Sequence, residues 1–179
     1  MHQYFPGEEL IMYENYRFGI SPKYSIKTDY DEMLSLCLDA KREPDIGKKI
    51  EILRRVIDDY SGALLPTLYN EECLRNEITY FDLKRLEILN TYLELLHHEK
   101  RYSEMLEMAT RSTMRHYDDA KLNYWLLCAY IGCGKLKLAR RVMKDKKQYL
   151  MPEQMECLER QIEEIENRWN YIAAAKIII

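Results

Sequence analysis

The sequence predicts an all-α fold: a right-handed array of antiparallel helix hairpins, preceded by a short N-terminal β-hairpin. Three observations carry this. The 179 residues include only 6 Gly and 5 Pro, too few for the many turns of a sandwich or barrel. Apolar residues after position 27 recur three and four apart, the spacing of one helix face. The stretch from Tyr92 to Met143 also repeats itself at a shift of 34 residues. In that shift Leu93 falls on Leu127, Leu96 on Tyr130, Tyr102 on Leu136, Met105 on Ala139, and Met108-Ala109 on Val142-Met143. The hydrophilic pairs are Lys100 on Gly134 and Arg101 on Lys135.

A period of 34 is that of the tetratricopeptide helix–turn–helix unit, whose second helix wants a small residue and an aromatic four later. Ala139 and Met143 fill that slot loosely, Met105 and Ala109 more loosely, and Tyr117 stands where the closing proline belongs. The repeat is degenerate, but its period still says helical array. Apolar residues at 47% suffice for a core, and charged residues at 32% suit exposed helical faces. Nine Met and fifteen Tyr fit helix–helix contacts, where Met fills irregular gaps and Tyr keeps its hydroxyl wet. Two units are expected: residues 1–26, a short hairpin, and residues 27–175, the tetratricopeptide-like helical domain.

In chain order, Leu10-Ile11-Met12-Tyr13 and Tyr16-Arg17-Phe18-Gly19-Ile20 read as two strands around Glu14-Asn15, with Tyr24-Ser25-Ile26 as a third extended piece. Such a hairpin is marginal in water and must pack on something. Thr28 with Asp31 three later approaches a capping box, and Tyr30, Met33, Leu34, Cys37 and Leu38 share a face. Pro44 at a first-turn position opens the next helix, whose stripe is Ile46, Ile50, Leu53, Val56 and Ile57 and which Gly62 ends. Ala63–Tyr69 is an apolar loop, expected to tuck against the array. Asn70 then caps a long helix, roughly Glu71 to Glu99, without Gly or Pro. At ~1.5 Å per residue it would run about 40 Å and serve as the spine. Its hairpin partner runs from Tyr102 to His116. Asp118 or Asp119 caps the next helix, Gly132 and Gly134 make a turn, and Leu136–Tyr149 returns. Met151-Pro152 starts a last helix with the stripe Met155, Leu158, Ile162, Ile165 and Trp169. Its remaining positions are strongly acidic, as a terminal cap requires. No role is assigned to the apolar end Ile177–Ile179.

Composition excludes several functions. Net charge is −3, so there is no overall basic footprint for nucleic acid. The run from Arg140 to Lys147 is broken by Asp145 and reads as a solvated face. Five cysteines without framework spacing point to a reducing compartment and core packing. The first ten residues contain no signal-peptide core, and no apolar run approaches the ~20 residues of a membrane span. A cytoplasmic location is expected. His97-His98 are adjacent and point about 100° apart, so they do not suit one metal, and helix-end dipole compensation accounts for them. His116 reads likewise. Glu71-Glu72 fails as an acid/base pair by the same geometry, while Asp58-Asp59 and Asp118-Asp119 read as turn and cap residues. No phosphate loop, nucleophile elbow or Cys/His dyad is present. No catalytic, metal or cofactor residue is therefore expected. Tyr92, Tyr124, Trp125 and Tyr130 could line a concave face for a partner or ligand, or simply pack the core.

Several of these stretches together carry a resemblance. Thr28-Asp29, Leu64-Leu65-Pro66 with Glu71-Glu72, Arg85, Tyr92-Leu93, Tyr102-x-Glu104, Asp118-Asp119 and Gly134-Lys135 with Ala139 make residues 26 to 150 similar to the bacterial transcriptional activator domain. That is the tetratricopeptide-like module behind OmpR-type winged-helix domains in antibiotic-regulator-type transcription factors. Tyr13–Phe18 resembles the last wing hairpin of such a domain, with its Tyr-Arg-Phe triplet. The resemblance implies a regulatory interaction module with a protein partner, either a second copy in a homodimer or other transcription machinery. It also implies DNA contact only through a winged helix upstream of Met1. A free-standing tetratricopeptide scaffold binding a protein or peptide is the alternative.

Overall fold

The computed structural model describes residues 11–14, 16–25, 28–60 and 71–177. Strands β1 (Ile11–Glu14) and β2 (Arg17–Ile20) pair antiparallel, with Ile11 opposite Ile20, Tyr13 opposite Phe18 and Glu14 opposite Arg17. Glu14 therefore ends the first strand and is not part of the turn, where Glu14-Asn15 was expected. Tyr16 takes the positive φ, 61°, that a tight hairpin turn requires. Tyr24 and Ser25 join no strand. Ser21-Pro22 forms a turn instead, closed by the Tyr24 N–H donating to the Ser21 carbonyl at 3.0 Å.

Helix α1 (Asp29–Arg42) opens with the expected capping box, each backbone N–H of Thr28 and Asp31 donating to the other's side chain at 3.1 Å. Pro44 stands one place before the cap of α2 (Ile46–Asp59), not in its first turn. Asp45 takes the cap because its carboxylate accepts the Lys48 N–H at 2.8 Å, which no proline side chain can do. The long helix begins four residues later than Glu71: a 3-10 turn, Glu72–Leu74, precedes α3 (Arg75–His98). Helices α4 (Tyr102–Thr113), α5 (Ala120–Gly132, capped by Asp119), α6 (Leu136–Lys146) and α7 (Pro152–Ile177) follow. The expectations at Leu10, Asn15, Ile26, Gly62, Ala63–Tyr69, Asn70, Ile178 and Ile179, and for the Trp169 side chain, lie outside the described residues. Among the described residues, no helix is long and apolar enough to cross a membrane.

Consecutive helices pack pairwise from α1 to α6, and α3 also packs on α5 and α5 on α7. That makes α5, not α3, the centre of the array. It touches α3, α4, α6 and α7, and its sequence is apolar nearly all round, as a helix covered on every side must be. Leu122, Leu127 and Ala129 are buried there against Leu93, Leu96, Met105, Ala109, Ala139, Leu158 and Ile162.

The 34-residue repeat is exact at the level of hydrogen bonds. Helix α3 ends with the Arg101 N–H on the Leu96 carbonyl and the Lys100 N–H on His97; α5 ends with Lys135 on Tyr130 and Gly134 on Ile131, all between 2.9 and 3.1 Å. Both are the six-to-one and five-to-two pattern of a Schellman end, which needs one residue with positive φ. Gly134 supplies it at 69° and Lys100 at 57°. A lysine there is strained where glycine is not. Lys100→Gly is accordingly expected to raise stability by about 0.5–1 kcal/mol in denaturant melts. An unchanged midpoint would mean that the strain is absent.

Candidate functional site

Tyr92, read as lining a concave face or packing the core, is fully buried in the core. Its hydroxyl donates to Glu104 at 2.6 Å. Tyr124 and Trp125 meet edge-on at 5.2 Å between ring centroids, and His97 lies 5.7 Å from Trp125 and 5.8 Å from Tyr102. The Tyr124 hydroxyl reaches Cys157 of α7 at 3.8 Å, so the terminal helix partly covers this cluster. Tyr130 is half-buried against the core. The indole Nε1 of Trp125 is buried and meets no acceptor among the described residues.

Glu104 is a junction. It accepts from Tyr92 of α3, from Arg101 at the start of its own hairpin, and from Arg54 of α2 at 3.3 Å. Burial alone would raise the Glu104 carboxyl, but the hydrogen bonds from Tyr92 and Arg101 and the charges of Arg101 and Arg54 outweigh it and hold it below the usual range. Burial, then the bond to Glu104, pushes the Tyr92 phenol up. Sequence reasoning treated Tyr92 and Tyr102-x-Glu104 as separate features. The i,i+12 spacing across a helix turn was the available signal that they meet.

A cleft of about 200 Å³ lies between the ends of α2 and α4 and the middle of α3. Arg85, Arg111, Arg115 and His116 face it, with Asp58 and Asp82. Arg111 is tied to Asp58 at 3.2 Å, and Arg85 lies 3.7 Å from Asp82. Burial and the neighbouring Arg115 charge lower the Arg85 guanidinium, while Asp82 opposes them. Arg111 in the last turn of α4 and Arg115 just beyond it, four apart, are the signal that the sequence offers for this cleft.

Several other titratable groups have structural partners. Asp59 pairs with Arg55 at 3.3 Å, and Asp119 caps α5 by accepting from the Leu122 N–H at 2.8 Å. His98 sits 2.9 Å from Glu99, and burial lowers the His97 imidazole. In the basic run, Arg140 makes a two-point contact with Glu166 at 3.1 and 2.6 Å, and Lys146 donates to the Tyr117 carbonyl at 3.0 Å. Among the described residues Cys37, Cys128, Cys133 and Cys157 are free thiols, and burial pushes Cys128 up to about 12. No group of three His, Cys, Asp or Glu among the described residues could hold a metal ion.

One family model, described as the bacterial transcriptional activator domain, matches residues 29–162. No curated protein and no solved structure matches the chain.

Proposed function

The chain belongs to the bacterial transcriptional activator domain family, and on that premise we propose that it is the non-catalytic regulatory and interaction module of a cytoplasmic bacterial transcription regulator. It couples an attached DNA-binding domain to dimerisation or to a partner or ligand. The observation that carries this reading is the extent of the match, which runs from the start of α1 into α7 and so takes in every helix hairpin.

The hairpin supports the second half of the reading. Ile11, Tyr13 and Ile20 lie on one face of the two-stranded sheet and are 50%, 61% and 44% exposed. Two strands with an uncovered apolar face are marginal in water and call for a covering layer. We read residues 1–26 as the last wing of a winged-helix domain whose remaining elements precede them and read the DNA. The helical body, residues 27–175, would then receive protein contacts.

Mass by light scattering across a concentration series tests this, together with the reading frame upstream of Met1. A dimer that dissociates on dilution, with a winged helix encoded upstream, is expected; paired DNA half-sites would follow from it. A monomer throughout, with no winged helix upstream, would overturn the reading and leave a free-standing scaffold for a protein or peptide.

A further inference from the structure

Helix α3 packs on α5, but α1 and α3 barely touch, although both stand against α2. Tyr30 and Phe81 meet at 5.8 Å and close one end of the gap. Beyond them the two helices leave a groove of about 430 Å³. Leu34 and Leu38 of α1 and Tyr80 of α3 form its walls, over a floor of Leu53 and Ile88. Leu38 and Tyr80 remain 51% and 47% exposed, and Leu83 extends the apolar surface along α3 at 61%. A contiguous apolar surface of this kind marks an interaction site more often than scattered single residues do.

The rim is basic in an acidic protein. Lys41, Lys49 and Lys84 border the groove against the single carboxylate Glu87, while the whole chain carries −3. Glu87 offsets one of the three charges and leaves the rim net basic. It holds the Lys84 ammonium at 2.6 Å, beside the Tyr80 ring at 5.8 Å. An apolar trough edged by ammonium groups complements an amphipathic segment with apolar side chains on one face and carboxylates on its flanks. Among the described residues, the acidic helix of a second copy does not offer that combination. That helix, α7, presents Glu153, Glu156, Glu159 and Glu163, but its Leu158 and Ile162 side chains are fully buried in the chain's own core.

We infer that the groove between α1 and α3 docks an acidic amphipathic segment of a partner protein, with apolar side chains inserted between Leu38 and Tyr80 and carboxylates on Lys41, Lys49 and Lys84. The inference rests on the groove alone and stands whether or not a winged helix precedes the chain.

The test is selection from a random peptide library displayed on phage, each peptide about four helical turns long, against the whole chain. Enriched peptides are expected to carry apolar residues at three- and four-residue spacing with flanking Asp and Glu, and to weaken as salt rises. Leu38→Glu, at a half-exposed position, should melt like the parent chain yet bind the enriched peptides about tenfold or more weakly, the size of losing one apolar anchor. Lys41→Glu/Lys84→Glu should reject the same peptides. An enriched pool without acidic bias, binding to Leu38→Glu as tight as to the parent chain, or no enrichment at helical spacing would overturn the inference. So would a light-scattering mass of twice the chain's that Leu38→Glu halves, since a second copy would then occupy the groove.

Discussion

Gly132→Ala is expected to destabilise the helical body by about 1–3 kcal/mol, the cost of overpacking a filled site. For a chain of this length that lowers Tm by several degrees, at about 2–4 °C per kcal/mol. A Cβ on Gly132 would stand 2.3 Å from both Cγ and Cδ1 of the Tyr102 ring, and 2.6 Å from Cδ2. Cγ is the root of the side chain, so the ring cannot swing aside without leaving its rotamer or moving α4. Tyr102 begins α4 and Gly132 ends α5, the pair of helices with the most extensive contact in the array. Any displacement therefore propagates along that interface. Tyr102→Ala in the same chain should recover part of the loss, so that the double variant is more stable than the sum of the two single effects allows. Gly134 gives the internal comparison. Nothing lies within 4 Å of its Cβ position, and its φ of +69° is the whole reason for glycine. Gly134→Ala should then cost only about 1 kcal/mol, and Tyr102→Ala should not relieve it. If Gly132→Ala melted with the parent chain, the close approach would be refuted.

Those two glycines also show what the sequence could and could not say. The turn at Gly132-Cys133-Gly134 was legible because glycine near a helix end advertises its conformation. The same turn at His98-Glu99-Lys100 was legible only through the repeat, since lysine advertises nothing about φ. Element order followed from apolar periodicity and capping residues, which act locally: Thr28 and Asp119 cap as read. Where two local signals competed, the reading slipped by a few residues. Asp45 displaced Pro44, and Glu72–Leu74 made a short 3-10 turn in place of a helix start. Which helix is central was not local information. Helix α3 is longer, but α5 is covered by more neighbours, and length says nothing about neighbours. The groove between α1 and α3 was invisible for the same reason. Its residues read as one face of each helix, and only the packing shows that the faces of Leu38 and Tyr80 look into a gap. The membership of the family was carried by short stretches spread over most of the body, and the match over residues 29–162 agrees with them.

Tyr92, which the sequence left between a concave face and the core, is fully buried, and its expected behaviour follows from that burial. Tyr92→Ala should cost about 3–5 kcal/mol, because it empties a fully enclosed aromatic site between α3 and its neighbours. Tyr92→Phe keeps the ring and removes only the donor to Glu104. A hydrogen bond to a charged group is worth about 1.5–3 kcal/mol, so this variant should lose an amount in or just below that range. The loss should depend on pH in a direction fixed by the Glu104 carboxyl. Its folded pKa lies below the ordinary glutamate value, so its stabilising contribution is complete above the unfolded pKa of about 4.3 and disappears as pH falls through the lower, folded value. Part of that lowering comes from the Tyr92 hydroxyl. Without it the folded carboxyl titrates closer to the unfolded one. The stability gap between parent and Tyr92→Phe should therefore be constant through neutral pH and narrow in the acid range below the unfolded pKa. Arg54→Ala should show a shallower version of the same dependence, since its contact with Glu104 is longer, at 3.3 Å, and its side chain is 55% exposed. Urea midpoints for the three proteins at neutral pH and near about pH 4 measure both effects. A Tyr92→Phe gap that is the same at both pH values would place the loss in packing of the ring and remove Glu104 from the account. A gap that narrows makes Glu104 the joint that binds α2 and α3 to the start of α4, and so the first hairpin to the second.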